Sequence, residues 1–104
     1  MKRSPDFPAG WCCYLLLCAD RSYYCGVASD LTPRIRDHAS GKGSGYTKEL
    51  KPLAMVWFEP HPNRHSAAGR EKQIKRSNRE KKRRLADGER EFEGCGTRIM
   101  VSLV

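Results

Sequence analysis

Residues 11–40 read WCCYLLLCADRSYYCGVASDLTPRIRDHAS, and three short patterns within them decide the fold. Trp11 to Cys18 is apolar throughout and Tyr23 to Ala28 is apolar and aromatic. Between them Asp20-Arg21-Ser22 supplies turn residues, so the two runs read as an antiparallel hairpin of short, centrally buried strands. Adjacent Cys12 and Cys13 then point to opposite faces of the first strand. Asp30 stands at an N-cap position and Pro33 falls in the first turn, where its missing N–H costs little. Leu31, Ile35 and His38 or Ala39 recur at helical spacing, which predicts a helix from Leu31 to Ser40.

Further along, Gly41-Lys42-Gly43-Ser44-Gly45 is a loop by composition and matches neither the Walker A spacing nor GxGxxG, so it is not read as a nucleotide site. Leu53 to Glu59 (LAMVWFE) is a third strand. Asn63 to Arg76 reads as a helix with Ala67, Ala68, Ile74 and the stem of Arg70 or Glu71 on its inner side, although Gly69 weakens it. Ser77 to Glu80 (SNRE) fits a capping box that opens a short helix ending at Gly88. The expected order is β-β-α-β-α-α, an α+β domain with a small three-stranded antiparallel sheet flanked by helices. Residues 1–10 read as a flexible leader, 11–88 as the domain and 89–104 as a C-terminal extension. Its apolar end, TRIMVSLV, reads equally as a fourth strand on a sheet edge and as a tail.

A chain of 104 residues and 11.8 kDa has room for one modest core, which excludes a large multidomain enzyme. With 38% apolar residues, two Trp, four Tyr and three Phe, it carries enough large side chains to fold rather than stay disordered. Twenty Lys and Arg stand against twelve Asp and Glu, a net charge of +8, and the surplus is local. Residues 64–84 hold ten basic and two acidic side chains, whereas residues 1–63 hold eight and six. Such a segment favours polyanions, nucleic acid ahead of an anionic membrane surface. The run WCCYLLLCA ends at Asp20, far short of the roughly 18 apolar residues of a membrane helix. The N-terminus lacks the apolar stretch of a secretory signal, so the expected location is the cytoplasm. Five cysteines without a CxxC pair read as reduced, packed thiols rather than a zinc site.

The residues able to do chemistry cluster early. Tyr14 and Tyr24 lie on successive strands, where both phenols can share one side of the hairpin, and Gly26 permits close approach of another backbone or a substrate. Arg34 and His38, four apart, share a helix face; the first offers a charged fork for phosphate oxygens and the second exchanges a proton near neutral pH. Glu71 reads either as an i,i+4 partner of Lys75 or as an oxygen ligand for a hard divalent cation. Lys42, Lys72, Lys75, Arg76, Arg79, Lys82 and Arg83 are the candidates for holding phosphates.

These residues together resemble the GIY-YIG nuclease superfamily, and in particular its small stand-alone bacterial members. Cys12-Cys13-Tyr14 stands where the GIY tripeptide stands and Tyr24-Cys25-Gly26 where YIG stands; Arg34 and His38 match the R-x-x-x-H/Y pair, and Glu71 within SAAGREKQIK matches the single helix Glu. The resemblance covers Trp11 to Asp87. It implies the GIY-YIG fold and hydrolysis of a DNA phosphodiester with one Mg²⁺ or Mn²⁺. It further implies that Tyr14 helps activate the attacking water with His38 assisting proton transfer, that Tyr24 orients water or phosphate, that Arg34 neutralises transition-state charge, and that Glu71 holds the metal. DNA is the implied partner, with association to the nucleoid when bound. Stand-alone members of the superfamily lack the added DNA-binding domain of larger relatives, which implies weak activity or dependence on a partner protein. Two other readings stand beside it: a non-catalytic nucleic-acid-binding module using residues 64–84, and a basic face for an acidic protein.

Overall fold

The turn at Asp20 to Ser22 closes the expected hairpin. Arg21 takes a positive φ of 71°, its N–H reaches the Cys18 carbonyl at 2.9 Å, and the Ser22 N–H donates to the Asp20 carboxylate at 2.9 Å. The computed structural model describes residues 7, 9–40, 51–87 and 96–103. The glycine loop at 41–45 with its Lys42, residues 88–95 with Cys95, and most of the leader lie outside the described residues.

The hairpin strands are β1 (Cys12–Cys18) and β2 (Tyr23–Ala28), and helix α1 spans Leu31–Ala39. Asp30 is the N-cap residue, in extended conformation, but its side chain makes no capping hydrogen bond. β3 (Pro52–Pro60), α2 (Arg64–Arg76), α3 (Arg79–Ala86) and β4 (Thr97–Ser102) follow. The architecture is α+β with an antiparallel sheet flanked by helices, as expected, but the sheet has four strands in the order β2-β1-β3-β4 rather than three. The apolar end of the extension supplies the fourth: Met55 pairs with Val101 and Phe58 with Thr97, and the buried Leu103 closes the edge through its N–H to the Leu53 carbonyl.

β1 lies inside the sheet with both faces covered, which is why it reads as a continuous apolar run instead of alternating. Cys12, Tyr14 and Leu16 pack with Leu31 and Ile35 of α1 on one face, while Cys13 and Leu15 pack with Ile74 of α2 and Leu85 of α3 on the other. β2, in contrast, is an edge strand rather than a central one. Cys12, Cys13, Cys18 and Cys25 are buried free thiols.

One boundary shifts by a residue. The cap of α3 is Asn78, whose side chain accepts from the Lys81 N–H at 2.9 Å, while the Ser77 hydroxyl turns back to the Ile74 carbonyl and closes α2. Ser77 therefore does not open the capping box expected there. Asn63 caps α2 in the same way, accepting from the Ser66 N–H at 2.9 Å.

Candidate active site

In the hairpin register Tyr14 faces Gly26 and Leu16 faces Tyr24, so both tyrosines project from one face. A Cβ on Gly26 would sit 2.6 Å from the Tyr14 Cζ and Oη. The close approach that Gly26 permits is thus that of the Tyr14 ring itself. Laid across this glycine, the phenol reaches α1, where Tyr14 Oη and His38 Nε2 share a hydrogen bond of 3.0 Å. Both residues are buried. The Tyr24 ring completes an aromatic wall, its centroid 6.5 Å from that of His38.

Burial sets the protonation of this pair. Desolvation pushes the Tyr14 phenol well above its ordinary range, with Tyr24, Cys25 and Glu71 adding in the same direction and Arg34 opposing. Desolvation also holds His38 below its ordinary value, reinforced by the Arg34 guanidinium one turn before it and opposed by Asp37. At neutral pH both rings are uncharged. His38 Nδ1 has no hydrogen-bond partner among the described residues.

α2 brings the acid. Glu71 is half-buried and contacts Lys75 at 3.6 Å, the i,i+4 pairing that its spacing allowed, yet it also lies close enough to Tyr14 to raise that phenol's pKa. The Lys75 ammonium in turn lies 6.0 Å from the Tyr24 ring centroid, at the edge of cation–π range. Tyr24, Arg34, His38 and Glu71, drawn from β2, α1 and α2, therefore all lie within reach of the Tyr14 phenol on β1.

The basic candidates differ in how exposed and how paired they are. Lys72, Lys75 and Arg76 are exposed on α2 and Arg79 is exposed at the start of α3, whereas Lys82 is half-buried. Arg83 is held between Glu80 at 2.7 Å and Asp87, so its charge is already answered within the helix.

A second polar group was not singled out by the sequence. Glu59, buried at the end of β3, contacts His61 Nε2 at 2.8 Å and Arg70 Nε at 3.2 Å. Its signal was present: Glu59 ends an apolar strand run, and Arg70 sits three residues after Ala67 and four before Ile74, on the inner stripe of α2.

The family model for the GIY-YIG catalytic domain matches residues 10–84. A UPF0213 protein of Haloquadratum walsbyi is 40% identical over 74 residues, covering 71% of this chain and 83% of that protein. UPF0213 proteins of Xanthomonas campestris and Staphylococcus aureus are each 39% identical, over 77 residues (74% of this chain, 76% of the relative) and 72 residues (69% and 88%). No solved structure is a significant match. None of the described helices is long and apolar enough to cross a membrane. The matched span begins just before β1 and ends within α3, and so takes in every element that carries the cluster around Tyr14; this chain belongs to the GIY-YIG nuclease family.

Proposed function

We propose that this protein is a divalent-metal-dependent endonuclease that hydrolyses DNA phosphodiesters, with branched or damaged duplex as its substrate, in the cytoplasm and on the nucleoid when bound. The observation that carries the reading is the buried hydrogen bond of 3.0 Å between Tyr14 and His38, with Arg34 and Glu71 both acting on the same phenol. Because His38 is uncharged at neutral pH, its Nε2 accepts the Tyr14 hydroxyl when the ring proton sits on Nδ1. Tyr14 can then take a proton from an attacking water as it passes its own to His38, and never needs to ionise in isolation. Arg34, exposed on α1, meets the negative charge that builds on the phosphate as the P–O bond breaks, and Tyr24 orients the water or the phosphate.

The donor set suits a hard cation. Glu71 offers one carboxylate at a half-buried position, which fits Mg²⁺ or Mn²⁺ completing its shell with water and phosphate oxygens. A closed zinc site is not favoured, since no group of three His, Cys, Asp or Glu converges among the described residues. When bound, the ion supplies positive charge to the phosphate oxygens. Residues 11–88 form the catalytic unit in this reading, Lys72, Lys75, Arg76, Arg79 and Lys82 hold flanking phosphates, and a protein partner is an added source of DNA affinity.

Supercoiled plasmid and defined flap, fork, Holliday and nicked substrates test the proposal. Wild type nicks in Mg²⁺ or Mn²⁺, and Arg34→Ala or Glu71→Ala lowers the rate by about 10²- to 10³-fold with the circular dichroism spectrum unchanged. Wild type that leaves every substrate intact in both metals overturns it. Salt-sensitive DNA binding unaffected by Glu71→Ala would then favour a non-catalytic module.

A further inference from the structure

The stripe that α2 buries is weak. It consists of Ala67, Arg70 and Ile74, of which only Ile74 has a large apolar side chain. Ile74 alone anchors this stripe in the core with a large apolar side chain, which fixes the rotation of α2 about its axis less firmly than a full apolar stripe would. Rotation matters here, because successive side chains on a helix point about 100° apart and Glu71 directly follows Arg70. Whatever holds Arg70 also aims Glu71.

Charged contacts from β3 converge on Arg70. Its Nε lies 3.2 Å from the buried carboxylate of Glu59, an ion pair by proximity, and its guanidinium carbon sits 5.8 Å from the Trp57 ring centroid; another guanidinium nitrogen donates to Gln73 Oε1 at 2.8 Å, which steadies the side chain within α2 itself. Glu59 also takes His61 at 2.8 Å, and His61 Nδ1 in turn meets the Ser66 hydroxyl at 2.7 Å in the first turn of the same helix. The end of β3 is thus joined to α2 at two levels one turn apart, at Ser66 and at Arg70, through a single carboxylate. A buried guanidinium beside a buried carboxylate is costly to separate, which ties Arg70 to one place on β3 as an alanine is not tied. Arg70 is also flanked by Gly69, the residue at which α2 has least intrinsic preference to stay helical.

We infer that Glu59 and Arg70, with His61, are positioning residues: they help fix the rotation of α2 and thereby aim the Glu71 carboxylate toward the Tyr14 phenol. This rests on Glu71 being the metal ligand in the reading above. None of the three touches the reacting atoms; their effect is on the affinity with which Glu71 takes a divalent cation. Loss of a group that orients a ligand lowers metal affinity by about 10- to 100-fold in comparable sites.

Mn²⁺ itself is the probe, followed in the full chain by paramagnetic broadening of backbone amide signals. In wild type the broadening centres on Glu71 and Tyr14. Glu59→Gln and Arg70→Gln need about tenfold more Mn²⁺ for the same broadening, and Arg70→Lys, which keeps charge but not the fork, falls between. The half-saturating Mn²⁺ for nicking moves by the same factor while DNA affinity does not. Removing one partner of a buried pair can unfold the protein, so Glu59→Gln with Arg70→Met, which removes both charges together, is made as well; it folds and shows the same shift. A folded Glu59→Gln, or the double variant, with unchanged Mn²⁺ half-saturation overturns the inference, as does wild-type broadening centred elsewhere. If broadening behaves as expected but wild type never nicks DNA, the positioning role stands and the nuclease reading falls.

Discussion

Tyr14 and His38 are both buried at their shared hydrogen bond, and that burial determines how the pair answers to pH. His38 is held below its ordinary value in the folded chain and returns to about 6.5 when unfolded. The unfolded state then binds the proton first as pH falls. The contribution of neutral His38 is fully present above about 6.5 and is lost as pH drops from there through the lowered folded value. The rate follows the same group, since a protonated Nε2 cannot accept from Tyr14. Nicking measured against pH should show an acid limb below about 6.5 in wild type, and that limb should vanish from the residual activity of His38→Gln. A limb that persists unchanged in the variant would remove His38 from proton transfer.

Gly26 answers to sterics instead. Gly26→Ala places a Cβ 2.6 Å from the Tyr14 ring atoms, so the ring must move off its place beside His38. Urea unfolding should show a loss of about 1–3 kcal/mol, the usual cost of overpacking, together with a fall in nicking. The steric role of this glycine was half-legible in the sequence. Proximity of something to Gly26 followed from the residue type, but only the register, Tyr14 opposite Gly26, identifies the neighbour as the Tyr14 phenol.

At the level of elements, the hairpin was readable because two apolar runs flank Asp20-Arg21-Ser22, and α1 because its apolar positions recur at helical spacing. β4 was not, since TRIMVSLV has strand chemistry but nothing local names its partner; the strand exists through pairing with β3, about forty residues earlier in the chain. The start of α3 was off by one because Ser77 and Asn78 are both competent caps, and the serine is taken by the preceding helix. Glu59 and Arg70 stayed hidden for the reason that β4 did, as their pairing is a fact of tertiary packing. Gly69 makes a prediction of its own. It lies inside α2 with nothing within 4 Å of where a Cβ would stand. Gly69→Ala should therefore stabilise the fold by about 0.5–1 kcal/mol, a rise of a few degrees in Tm by calorimetry. A fall in Tm would mean that the helix is not the conformation this position occupies.

Across the whole molecule, the net charge of +8 is unevenly usable. Lys72, Arg76 and Arg79 are exposed, whereas Arg83 is already answered by Glu80 and Asp87. Replacing the first three by Ala together should flatten the plot of log affinity for DNA against log salt by about 0.9 for each phosphate that is no longer neutralised. Arg83→Ala should change that slope less than any of the three taken singly. Equal changes would show that the pairing within α3 gives way to phosphate when DNA binds.

The sheet separates α1, which carries Arg34 and His38, from α2, which carries Glu71 and Lys75, yet His38 and Lys75 both reach the ring of Tyr24 on edge strand β2. In the proposed mechanism neither layer holds a complete site alone: with α2 peeled away the phenol and imidazole would lack their acid, and with α1 lost the acid would lack a proton acceptor. Nicking is therefore an assay of complete assembly: along a denaturant series it should disappear at the first loosening of either layer, ahead of the loss of strand signal if the layers part separately and together with it if the domain melts as one unit.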